Sequence, residues 1–194
     1  MITKQRKPTG QHPTGLTARV GVLRYDNSTE VDKILADAVA KIHARDIVVG
    51  GLLQYFGARL PNGKRSMWVE DIGTGALIRL DRPRGPGAVA CLLDPDALAQ
   101  AACMLRRAVD SNPELLVVSR FGNAEADGRG LRAEFADAIC SGAAVLVAVK
   151  FTLLNDLEGF LGAPADLLLP SADAIVAWAE STVAISNPMR RSTG

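Results

Sequence analysis

The densest concentration of chemistry-bearing side chains is the run Ser119-Arg120-Phe121-Gly122-Asn123-Ala124-Glu125-Ala126-Asp127-Gly128-Arg129-Gly130. It brings two arginines, two carboxylates, an amide and three glycines into one stretch. The guanidinium forks of Arg120 and Arg129 suit a planar or tetrahedral oxyanion, phosphate included. Gly128 and Gly130 permit positive φ or the close approach of a ligand, and Asn123 joins them as a ligand-binding candidate. Glu125 could orient a water or hold a metal through one oxygen, which makes it the catalytic candidate if the protein is an enzyme. The plainer alternative is a local Arg–Glu network that only organises the loop.

A second candidate lies at Asp26-Asn27-Ser28-Thr29-Glu30, ahead of a helix. A phosphate-binding protein would carry G-x-x-x-x-G-K-[ST] here, with backbone N–H groups cradling the phosphates. This chain has no glycine-rich turn at that point and no Lys before Ser28-Thr29, while Asp26 and Glu30 add negative charge. The free N–H groups and dipole of a helix start still attract an anion, so Asn27, Ser28 and Thr29 stand as ligand-binding candidates. The alternative is simple capping by Asn27 or Ser28. Lys150 follows a buried strand and either faces the same site or caps that strand's end.

Other reactive types are sparse. Cys91, Cys103 and Cys140 are an odd, widely spaced set, which argues against a disulfide framework and a zinc site. They read as packing residues, and a thiolate role for Cys91 would need a neighbour such as Arg84. His12 and His43 are too far apart in sequence to suggest a triad or a metal cluster. No metal ligand set is expected. Met67 and Trp68 alternate along a hairpin strand and read as packing.

The elements that must position these residues are legible from apolar periodicity. Arg19–Tyr25 reads as a first strand. Val31, Ile34, Leu35, Ala38, Val39 and Ile42 form one helical stripe. Ile47–Tyr55 is a second strand, with Gly50-Gly51 marking a bulge or close backbone approach. Ser66–Ile72 and Ala76–Leu80 form an antiparallel hairpin insertion, followed by a basic loop at Arg82–Gly87. Asp94-Pro95 opens a helix that ends near Asn112-Pro113. Leu115–Ser119 is a buried strand, Arg120–Gly130 a loop, and Leu131–Cys140 a helix. Ala144–Val149 is a strand, Leu153–Leu161 a helix, Asp166–Leu169 a short edge strand, and Ala172–Glu180 a helix. This alternation predicts an α/β fold with a mostly parallel central sheet and helices on both faces. In such sheets ligands bind beyond the carboxyl ends of the strands, where both candidate loops and Lys150 fall.

Bulk properties set the outer limits. The chain of 194 residues predicts a single domain over residues 19–182, with a flexible arm at 1–18 and a flexible tail at 183–194. A net charge of +1 supplies no global field for nucleic acid or membrane. Lys4, Arg6, Lys7, Arg190 and Arg191 read as solvated ends, so nucleic acid is not the expected partner. No apolar run approaches the length of a membrane span, and no secretory signal is visible. A cytoplasmic setting is expected, and an oligomeric state is left open.

The run from Leu92-Leu93-Asp94-Pro95 through the Arg-Phe-Gly-x-x-Glu-x-x-Gly-x-Gly segment at 120–130 resembles a bacterial domain-of-unknown-function family, DUF2478. The resemblance extends upstream to Gly50-Gly51-Leu52-Leu53-Gln54, Asp71-Ile72-Gly73-Thr74-Gly75 and Ala90-Cys91, and covers about residues 19–180. It implies a link to molybdenum handling or nitrogen fixation, because members often lie beside molybdate-transport or nitrogenase genes. The same loop is distantly similar to P-loop nucleoside-triphosphatases whose motif reads D-E-I-G-x-M-E. That similarity implies a P-loop-like three-layer fold with Glu125 at the motif's last position. Ser119 and Arg120 then stand where its first two acids belong, so the magnesium-ligating acid and the phosphate-loop Lys are both absent. The expected function is therefore binding of a small anion, whether nucleotide, phosphate or molybdate-like oxyanion, on a degenerate P-loop-like scaffold. A divergent nucleoside-triphosphatase or phosphotransferase, which would need Mg, and a partner-binding module without a small ligand are the alternatives.

Overall fold

The computed structural model describes residues 19–60, 63, 65–82, 92–163 and 165–186. Its elements in chain order are β1 (Val20–Tyr25), α1 (Val31–His43), β2 (Val49–Arg59), β3 (Arg65–Asp71), β4 (Leu77–Arg79), β5 (Asp81–Arg82), β6 (Leu92–Leu93), α2 (Pro95–Asp110), β7 (Leu115–Phe121), α3 (Asn123–Ala126), α4 (Arg132–Cys140), β8 (Ala144–Lys150), a 3-10 turn at Phe151–Leu153, α5 (Leu154–Leu161), β9 (Asp166–Leu168) and α6 (Ala172–Ser186).

Seven strands form one sheet in the order β4-β3-β2-β7-β8-β1-β9. β2, β7, β8, β1 and β9 run parallel, and β3 and β4 add antiparallel at the β2 edge. The hairpin therefore extends the sheet in its own plane. β7 from Leu115 to Val118 and β8 from Ala144 to Val149 are wholly apolar because helices cover both their faces. One core holds α1 and α6 against Leu23, Val49, Val117 and Leu146. The other holds α2, α4 and α5 against Val22, Leu52, Leu116 and Val147. Leu35, Ile42, Leu105 and Leu157 are fully buried on these helices, each stabilising the fold by about 1.5–3 kcal/mol over exposure.

Local chemistry accounts for the element starts. The Asp94 carboxylate accepts from the Asp96 N–H and caps α2, with Pro95 at the first helical position. Gly51 has φ 109°, and a Cβ there would stand 2.1 Å from the Val117 carbonyl oxygen, so the expected close backbone approach is real.

Several sequence expectations are corrected. α1 begins after Glu30, with no side-chain cap bond, so neither Asn27 nor Ser28 caps it. β7 runs on through Phe121 and β8 through Lys150, so Arg120 and Lys150 are strand residues, and part of the expected 120–130 loop is α3. α6 continues to Ser186, past the expected boundary at 182, because Ala172, Ile175, Val176, Ala179 and Val183 share one buried face. The arm at 1–18 with His12, Pro61-Asn62, the basic loop from Pro83, Cys91, and the tail from 187 with Arg190 and Arg191 lie outside the described residues. No helix among the described residues is long and apolar enough to cross a membrane.

Candidate functional site

The site begins with one extra residue in β7. From Val117 to Arg120 the strand advances three positions while its partner β8 advances two, from Leu146 to Ala148. Such a bulge reverses which face the following side chains meet. Ser119 absorbs it at φ 53°, and its buried hydroxyl accepts the Gln54 N–H at 2.9 Å. Val117 faces the α1 core and Val118 the opposite one. After the bulge Arg120 returns to the α1 face, and Phe121 packs against Phe135 and Phe160 on the other.

On the α1 face the Arg120 guanidinium donates through one terminal nitrogen to the Asp32 carboxylate. Its Cζ lies over the Tyr25 ring at 4.8 Å from the centroid and over the Phe56 ring at 5.1 Å, both in cation–π range. The side chain is only 12% exposed, and its Nε–H is buried with no acceptor. A buried donor of this kind requires an explanation, and an ion or an ordered water is the usual one.

Arg120 forms part of the wall of a cleft of about 720 Å³ at the carboxyl rim of the sheet. The ends of β1 and β8, the start of α1 and the middle of β2 enclose it, through Tyr25, Asn27, Ser28, Thr29, Asp32, Tyr55, Phe56, Arg65 and Lys150. The turn after β1 is closed by its own carboxylate. Asp26 accepts from the Ser28 N–H at 2.9 Å, the Ser28 hydroxyl at 2.6 Å and the Thr29 hydroxyl at 3.0 Å. The Ser28 hydroxyl first, then the Thr29 hydroxyl, hold the Asp26 carboxyl below its ordinary range. Burial first, then its hydrogen bond with Glu70, push the Tyr55 phenol up to about 12, so it is a neutral hydroxyl at physiological pH. Lys150 is exposed at the rim, opposite Tyr25 in register.

The sequence-derived candidates divide into two groups. Asn27, Ser28, Thr29, Arg120 and Lys150 come together at this cleft. Asn123, Glu125, Gly128, Arg129 and Gly130 do not line it. Glu125 is consumed locally: one carboxylate oxygen accepts the Gly122 N–H and the other the Leu131 N–H, each at 3.0 Å. Gly130, at φ 65°, is glycine because a Cβ there would stand 2.1 Å from Glu125 Oε1, so the open space serves the protein's own carboxylate. The Arg129 side chain is 75% exposed and pairs with Asp127 at 3.0 Å. The expectation that Asn27 and Arg129 share one guest is thus corrected, because α3 turns the later part of the segment away from the cleft.

Sequence reading missed Asp32, Tyr25, Tyr55, Phe56 and Arg65. Asp32 lies off the apolar stripe of α1, and no local signal ties it to Arg120. The aromatic pair Tyr55-Phe56 at the end of an apolar strand was the available cue. Among the described residues no group of three or more His, Cys, Asp or Glu side chains is arranged to hold a metal ion.

Comparison with known proteins completes the description. The model of a family described as "Protein of unknown function (DUF2478)" matches residues 20–178. The Molybdenum import ATP-binding protein ModC 2 of Bradyrhizobium diazoefficiens is 33% identical over 172 residues, covering 89% of this chain. This chain spans 19% of the length of that curated relative. The solution structure of a human cancer-related nucleoside triphosphatase shares the fold, with a TM-score of 0.58 at 15% identity, covering 91% of this chain and 100% of that one.

Proposed function

The chain belongs to the DUF2478 family, and from that premise we propose that it is a binding protein that takes a nucleotide-class anion in the carboxyl-rim cleft and does not hydrolyse it. The observation that carries this reading is the cleft itself. At about 720 Å³ it falls in the range of small-molecule sites, about 300–1,000 Å³. A lone tetrahedral oxyanion such as molybdate would leave most of that space unfilled. Tyr55 and Phe56 offer ring faces to a base, while the exposed Lys150 ammonium offers donors to phosphate.

The shared fold with a nucleoside triphosphatase supports a nucleotide at this rim. Hydrolysis is the less supported reading. Glu125 is engaged by two backbone N–H groups, and Arg120 stands where the related motif has an acid. A partner-binding role for the hairpin insertion and its basic loop at Arg82–Gly87 gains no support from Trp68, since that ring is half-buried and its Nε1 donates to the Ser66 hydroxyl at 3.2 Å. Likeness to the longer molybdenum import ATP-binding protein supports a role beside molybdenum import, with this chain as a nucleotide-responsive part of that process.

Isothermal titration with ATP, GTP, molybdate and tungstate tests the proposal. Saturable heat with a nucleotide is the expected result. Heat with the metal oxyanions alone would replace the ligand class, and silence with all four on folded protein would remove the reading.

A further inference from the structure

β9 ends the sheet, paired with β1 on one side and with no strand on the other among the described residues. The main-chain N–H and C=O groups on its outer side form a row that can template another strand. Three of the seven exposed large apolar side chains among the described residues lie at this edge: Leu167 at 53%, Leu169 at 73% and Ile185 at 57%. Ile185 stands two turns on from Trp178 along α6, on the flank that the Trp178 indole ties to Asp166 of β9. Asp166 is the only charge between Ala165 and Leu169, and it is held on the α6 face by that indole N–H.

The order of residues makes this edge complementary to itself. Leu167 lies in register with Val22, on the α5 face, where Ala165 also packs. Leu169, two residues on from Leu167, takes the same face. Asp166 and Leu168 take the other, toward α6 and the α1 core. In an antiparallel pair with a two-fold axis through Leu167, Leu167 meets its own copy and Leu169 meets the Ala165 of the other chain, an all-apolar row. On the α6 face Asp166 meets Leu168, so the two carboxylates never stand opposite one another. Arg24, beside Leu169 on β1, leans away from the edge, with its Cζ 5.0 Å from the centroid of the Phe151 ring after β8. A foreign strand could use an open edge whatever its order. Self-pairing fails if a charge opposes itself or stands in the apolar row, and this edge meets both conditions.

We propose that the β9 edge binds a second copy of this chain, antiparallel about Leu167, so that two seven-stranded sheets join across a two-fold axis. Exposed Leu167 and Leu169 are covered on one face of the joined sheet, and Ile185 flanks the axis on the other. The inference goes beyond the reading of the cleft and does not depend on what the cleft holds.

Sedimentation velocity of the whole chain tests it. A species of twice the chain mass is expected, with a dissociation constant of about 10 μM or tighter. Leu167 is exposed, so L167K and L167E keep the fold, which far-UV circular dichroism checks. Each places like charges opposite one another at the axis and is expected to weaken the dimer about tenfold or more. Mixing the two variants restores it, because lysine then meets glutamate. L77K, at an exposed position on the opposite edge strand β4, leaves the dimer as in wild type. A wild-type chain that stays monomeric up to about 100 μM overturns the proposal. A dimer untouched in L167K places the interface elsewhere and overturns it too. Variants that stay monomeric when mixed overturn the pairing about Leu167.

Discussion

At Glu125 both carboxylate oxygens carry backbone N–H groups, those of Gly122 and Leu131. Its main-chain oxygen also accepts from the Arg132 guanidinium at 2.7 Å. The residue that looked most catalytic in the sequence is the clasp that folds α3 back toward α4. Glu125→Ala would leave two partly buried N–H donors without acceptors, a loss of about 2 kcal/mol. Urea denaturation should show that loss, and the affinity of the cleft for nucleotide should stay within twofold of wild type. Equal stability would show that the clasp contributes nothing. Arg120 presents the opposite case. The sequence offered it as a ligand contact, and it does line the cleft, with its charge already shared with Asp32 and two rings.

β7 decides the site at the level of the element. A regular strand would send Arg120 into the apolar core beneath α2 and α4, and Phe121 toward α1. One inserted residue reverses both. Ser119 is suited to the insertion because its hydroxyl satisfies the Gln54 N–H that the broken ladder would orphan. Its left-handed φ of 53° is costly for a side chain with Cβ and worse for a β-branched one. Ser119→Gly keeps the conformation and loses the acceptor, for about 1 kcal/mol. Ser119→Val loses the acceptor and adds strain, for about 1–2 kcal/mol more. The difference between the two urea midpoints measures the bulge, and a valine variant as stable as the glycine one would contradict its geometry.

Across the whole molecule the two cores share β7 and β8, so neither can melt alone without exposing the central strands. The two tryptophans stand toward opposite ends of the sheet, Trp68 on β3 and Trp178 on α6. The Trp178 indole N–H ties α6 to β9 by donating to Asp166 at 2.9 Å, and its ring lies where a Cβ on Gly21 would stand, 2.8 Å away. W68F and W178F, each with one reporter left, should show fluorescence and far-UV circular-dichroism transitions that coincide in urea. Separated transitions in either variant would divide the chain into two folding units and revise the single-domain expectation.

Periodicity is a local property, and what depended on it was readable in advance. The stripe from Val31 to Ile42, the apolar runs of β7 and β8, and the Asp94-Pro95 start of α2 specify elements with no knowledge of their neighbours. Their alternation implies the parallel sheet and the rim where ligands bind. The membership of the cleft is not local. Arg120 and Asp32 are 88 positions apart in sequence. Which face Arg120 takes turns on a single residue of register, and Phe56 reaches the site only because β2 runs on to Arg59 to pair with β3. Composition could show that residues 119–130 were rich in functional groups. Only the paired strands could decide that Arg120 faces the cleft while Glu125 and Arg129 serve their own loop, because side-chain direction in a sheet is set by partners across the ladder.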